Sequence, residues 1–187
     1  VNGKAVKLRF RGAANSDDVF DITVFLSPGD VWTADVAADG DISRLVTNDT
    51  SCTLPSAQDI KDLGGKFKTN RVQGNAAQTR EGYVEILNTA DIAAGTALFT
   101  AIKHVSGKAP CTAATMDAQA FDLTAGAGTN NFTTRGYANP TGGLMANWIL
   151  VNVDGMASHS GEAVALRAVN GGANAAGNVV WFPQTTD

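Results

Sequence analysis

The sequence predicts a mainly β chain: an antiparallel β-sandwich or jelly-roll-like domain with one or two short helices. Three observations carry this. Val6, Leu8 and Phe10 alternate with Lys7, Arg9 and Arg11, a period of two. Turn signals then recur about every ten residues, the spacing of sandwiches and barrels. Helix signals are confined to short stretches.

The elements follow in order. After the alternating strand, Gly12 to Asp18 is a polar turn. Val19 to Leu26 is rich in β-branched and aromatic residues and stops at Ser27-Pro28-Gly29-Asp30, a turn sequence. Val31 to Val36 is the next strand, with Trp32, Ala34 and Val36 on one face, and Ile42 to Thr47 follows the turn at Asp39-Gly40-Asp41. Ser56 to Gly65 is a short helix with Ser56 as N-cap and Gly64 as stop. A polar surface loop runs on to Gln78. Arg80 to Asn88 is a strand. Ala90 to His104 is divided: alanine favours helix, while Leu98, Thr100 and Ile102 favour strand. Ala113 to Phe121 holds one more short helix. Asn147 to Asp154, Gly161 to Val169 and Asn178 to Phe182 are closing strands, the first two forming a hairpin with His159 in its turn. No linker separates two cores, so residues 1–187 are expected to form one domain.

Composition bounds the function. With 187 residues, 44% hydrophobic and 17% charged, the chain can bury a core. A net charge of -4 argues against nonspecific nucleic-acid binding, which needs clustered Lys and Arg. Lys7, Arg9 and Arg11 read instead as a solvated strand face. The longest apolar runs are too short to span a membrane. Cys52 and Cys111 lie in polar, turn-rich settings, where a disulfide is favoured over buried thiols. That points to an oxidising compartment.

Catalytic and cofactor motifs are scarce. There is no G-x-S-x-G elbow, no P-loop and no C-x-x-C. The two histidines, His104 and His159, are isolated and read as an element end and a turn residue. The chain is therefore not expected to be an enzyme. No cofactor motif is present; calcium is the one candidate, through Asp17, Asp18 and Asp21 or through Asp39 and Asp41, which also serve as ordinary turn formers. Asn48-Asp49-Thr50 and Asn131-Phe132-Thr133 match the glycosylation sequon. Trp32, Trp148 and Trp181 read first as core residues. Exposed aromatics such as Tyr83, Tyr137 and Trp148 would suit a sugar-binding groove.

The clearest pattern is a repeated phrase. Gly3-Lys4-Ala5-Val6-Lys7-Leu8-Arg9 matches Gly161-Glu162-Ala163-Val164-Ala165-Leu166-Arg167 at Gly, Ala, Val, Leu and Arg. A weaker copy runs from Tyr83–Asn88 into Gly95–Phe99. In the later copy the phrase follows a hairpin partner; in the first it does not. The expectation is a strand missing upstream of Gly3, leaving Val6, Lys7, Leu8, Arg9, Phe10 and Arg11 as an open sheet edge where another chain can join.

Gly3–Gly12, Asn15–Asp21, Leu26–Trp32 and Arg80–Glu85 together resemble a group of uncharacterised secreted or cell-surface proteins of proteobacteria. The resemblance implies export, a longer parent chain and a strand upstream of Gly3, and it brings no catalytic motif. The expectation is thus a secreted or cell-surface structural subunit of a filament, sheath or surface layer, joined by strand addition. Its partners would be further copies or missing segments of the same parent chain. The alternative is a carbohydrate-binding module or adhesin.

Overall fold

The alternating strand is the centre of the sheet. In the computed structural model, which describes residues 1–120, 131–166, 169, 170, 173, 174 and 179, β1 (Gly3–Gly12) pairs antiparallel with β2 (Asp18–Leu26) on one side. On its other side it pairs along its whole length with β6 (Gly82–Ile92). Between these in sequence come β3 (Asp35–Asp39), β4 (Ile42–Val46) and β5 (Cys52–Leu54). The main sheet has the order β5-β2-β1-β6-β7, where β7 is Tyr137–Ala138, and β3 pairs with β4 as a separate hairpin. The fold is mainly β and antiparallel, as the sequence predicts.

The helices are short. α1 (Ala57–Asp62) starts at Ser56, whose hydroxyl accepts from the Asp59 N–H while the Asp59 carboxylate accepts from the Ser56 N–H. This capping box satisfies two otherwise orphaned donors. α2 (Ala97–Ile102) occupies the segment where helix and strand signals competed. Thr96 decides it: its hydroxyl accepts from the Phe99 N–H and nucleates the first turn. The middle copy of the repeated phrase therefore ends in a helix. α3 (Ala113–Asp117) continues as a 3-10 turn over Ala118–Ala120.

The sheet is covered on both faces. On one face Ala5, Phe25, Ala90 and Ile92 pack with Leu98 and Ile102 of α2 and Met116 of α3. On the other, Phe10, Phe20, Ile22 and Val24 pack with Leu45, Ile60 and Phe67. Phe10, Phe20 and Phe67 form a three-ring cluster with centroids 5.2–6.0 Å apart. Gly82 is required where β6 meets β1, since a Cβ there would lie 1.9 Å from the Arg11 carbonyl oxygen. Trp32 precedes β3 instead of lying in it and packs at the margin of the Phe10 cluster. Cys52 and Cys111 form the expected disulfide, 59 residues apart in sequence. Among the described residues no helix is long and apolar enough to cross a membrane.

Although the sequence offers no linker, the chain divides into two compact units, Val1–Pro140 with Asn178–Asp187, and Thr141–Gly177. The second holds a hairpin of β8 (Asn147–Asn152) and β9 (Ala157–Glu162), and a short pair, β10 (Val169–Asn170) with β11 (Ala173–Asn174). The hairpin turn is Val153 to Met156, earlier than the sequence suggested. Asp154-Gly155 supplies the turn signal, and the Asn152 side chain accepts from the Gly155 N–H. His159 thus lies within β9, opposite Leu150. Among the described residues of the later copy of the repeated phrase, Gly161 and Glu162 are strand and Ala163 to Leu166 are not. The expected strand at Asn178 to Phe182 falls, apart from Val179, outside the described residues.

Candidate functional site

The predicted assembly edge is not an edge. Each of Val6, Lys7, Leu8, Arg9, Phe10 and Arg11 has a β2 partner and a β6 partner, so β1 has no row of backbone groups left for another chain. The neighbour that closes it comes from more than seventy residues downstream, which local pattern cannot reveal. The basic side chains are not a solvated face either. Lys7 is 2% exposed, with its ammonium 3.5 Å from Asp21. Arg9 lies within 3.5 Å of Asp18 and Asp21, and Arg11 donates to Glu85 at 3.0 Å. Arg71 reaches Asp18 from outside the sheet at 3.2 Å. Burial, and then the neighbouring Asp18, push the Asp21 carboxyl above its ordinary range, against the pull of Lys7 and Arg9.

These pairings also bear on the calcium candidates. Asp18 and Asp21 face lysine and arginine, Asp39 pairs with Lys66 at 3.0 Å, and Asp17 accepts from the Asn15 side chain. Among the described residues no group of three or more His, Cys, Asp or Glu is placed to hold a metal ion.

A cluster around His104 was not legible in the sequence. Its Nδ1 lies 3.2 Å from Asp30 Oδ2 and 3.3 Å from Ser27 Oγ, and its Nε2 lies 3.2 Å from Thr50 Oγ1. Hydroxyl, imidazole and carboxylate in line are the parts of a nucleophilic triad. The hydroxyl proton, however, is directed elsewhere. Thr50 Oγ1 donates to the Gly107 carbonyl at 3.0 Å, so its one proton is not aimed at the imidazole. The cluster is a clasp that joins the turn after β2, the segment before β5 and the end of α2. Ser27 was visible as a turn residue; its partnership with His104, 77 residues away, was not.

The candidate sugar-binding aromatics separate. Tyr137 is 3% exposed and donates to Gln119 at 2.8 Å, so it is a core residue and offers no platform. Tyr83 and Trp148 are each about half exposed, at 46% and 49%. Trp148, expected in a core, instead lies over Gly161, where an added Cβ would come within 2.8 Å of the indole. Trp181 lies outside the described residues.

The β8–β9 hairpin is the most unusual surface. β8 reads Asn147-Trp148-Ile149-Leu150-Val151-Asn152. Successive strand residues point to opposite faces, so Trp148 and Leu150 lie on one and Ile149 and Val151 on the other. All four are exposed, Ile149 at 73%. Both faces of β8 are thus apolar and exposed, beside the polar residues of β9. Among the described residues β8 pairs with β9 alone, leaving its outer edge open. Ala163 N–H donates to the Ala146 carbonyl, which fixes the alternation: backbone groups of residues 146, 148, 150 and 152 face β9, and those of 147, 149 and 151 face outward. No family model, curated protein or solved structure matches the chain.

Proposed function

We propose that the chain is a structural subunit of an extracellular assembly, joined to further copies of itself by strand addition at β8. The observation that carries this is the hairpin: four exposed apolar residues in a row beside an open edge. A two-stranded hairpin is marginal alone, and additional strands stabilise it. Long exposed edges are ordinarily protected by charge; β8 has none. The Cys52–Cys111 disulfide supports an oxidising compartment, and the sequence resemblance supports export.

The test is size-exclusion chromatography with light scattering on the oxidised protein over a concentration series. Wild type should shift from monomer to larger species as concentration rises. Ile149→Lys, which puts a charge on the open strand, should stay monomeric with unchanged circular dichroism. A wild-type chain that remains monomeric throughout, or a lysine variant that assembles equally well, overturns the proposal.

A second reading, a glycan-binding surface, draws on the half exposure of Trp148 and Tyr83. Ring faces of this kind stack against sugars. Glycan-array binding that is lost in Trp148→Ala, with folding intact, would favour it over self-assembly.

A further inference from the structure

Resting on the proposal that β8 is the joining strand, we infer that two copies pair antiparallel through β8 about a two-fold axis at Ile149, giving a four-stranded sheet β9-β8-β8-β9. Symmetry restricts the register. A two-fold axis relating adjacent antiparallel strands stands perpendicular to the sheet and keeps each residue on its own face. Residues that meet must therefore be separated by an even number, since a one-residue slip exchanges the faces. The axis consequently lies midway between one residue and its own mate, not between two different residues.

Two centres keep the apolar run together. Centring on Ile149 sets Ile149 against its symmetry mate, Trp148 against Leu150, and Asn147 against Val151. Centring on Leu150 sets Trp148 against Asn152 and carries Asn147 past the strand end, opposite Val153. The first register uses all three residues whose backbone groups face outward, 147, 149 and 151. It also places the largest apolar side chain against another apolar one, the favourable kind of cross-strand pair.

Charge favours a second copy as the occupant. Two copies of Asn147–Asn152 meet with no like charges opposed. The described strands of five or more residues in the first unit, β1, β2, β3, β4 and β6, all carry charged residues. The sheet so formed would gather two Trp148–Leu150 pairs on one face.

Single-cysteine variants of the full chain, with the native disulfide intact, test the register under mild oxidation. Ile149→Cys should give a reducible dimer, because paired residues hold their Cα atoms roughly 5.5 Å apart, within disulfide reach. Asn147→Cys should not, since its own mate lies four residues along, roughly 13 Å away. Ile149→Pro should also abolish dimers yet keep the hairpin, because the amide it removes faces away from β9. Stronger cross-linking through Asn147→Cys or Leu150→Cys than through Ile149→Cys overturns the register. Assembly by light scattering without any Ile149→Cys cross-link overturns the two-fold pairing and leaves strand-joined assembly standing. A wild-type monomer at every concentration overturns both.

Discussion

β1 and β8 make an instructive pair. Both carry apolar residues, and both belong to antiparallel pairings. β1 alternates its apolar residues with charges, yet it is covered on both faces and paired on both sides. β8 has no charge at all, yet it is exposed on both faces and, among the described residues, paired on one side. Polarity of the side chains would have placed these strands the other way round. Position in the sheet is decided by which distant segments return to pair. For β1 these are β2 and β6, whose carboxylates meet its lysines and arginines.

The comparison can be broken at several points. The largest effect should come from the disulfide that ties β5 to the segment before α3. Replacing Cys52 and Cys111 by alanine should cost about 4 kcal/mol, from the 59-residue separation that the bridge closes. Urea unfolding would check this, and a loss below about 1 kcal/mol would mean that the unfolded chain is already compact.

Next comes a matched deletion in the two regions. Ile22→Ala should cost about 3 kcal/mol, because Ile22 is fully buried beside Phe10 and Phe20. Ile149→Ala should change monomer stability by under about 0.5 kcal/mol. Melting curves at dilutions where the chain is monomeric would show it. Equal losses at the two positions would mean that Ile149 is buried within the monomer, and the contrast would fail.

A smaller effect lies at Tyr137. Burial pushes its phenol well above the ordinary 10.0. The unfolded chain releases that proton near 10 and the folded chain retains it. Above that pH the unfolded state therefore binds fewer protons, and stability falls as pH rises. Tyr137→Phe should lose about 1 kcal/mol at neutral pH, through the missing bond to Gln119. It should also lack the alkaline fall that Tyr137 causes. Urea midpoints on either side of pH 10.0 would check both parts.

Local signals were legible in the sequence and distant returns were not. Ser56 announced α1 because a capping box is written within four residues. The period of two announced β1, and the polar settings of Cys52 and Cys111 announced their bridge. Thr96 was an equally local signal for α2, but likeness to the repeated phrase obscured it. The pairing of β1 with β6 and the clasp on His104 depend on contacts across 50 to 90 residues. The hairpin turn is also written locally, at Asp154-Gly155.

The pairing of Gly3 with Ile92 has a consequence during synthesis. β1 leaves the ribosome long before β6 exists. A sheet that waits for so distant a partner has high contact order and forms slowly. Until residue 92 has emerged, β6 is not there to pair with β1, and one row of its amides and carbonyls lacks the partner it has in the finished fold. The edge that is absent from the finished protein is present in the nascent one, where it would be most exposed to mispairing or to capture by a chaperone.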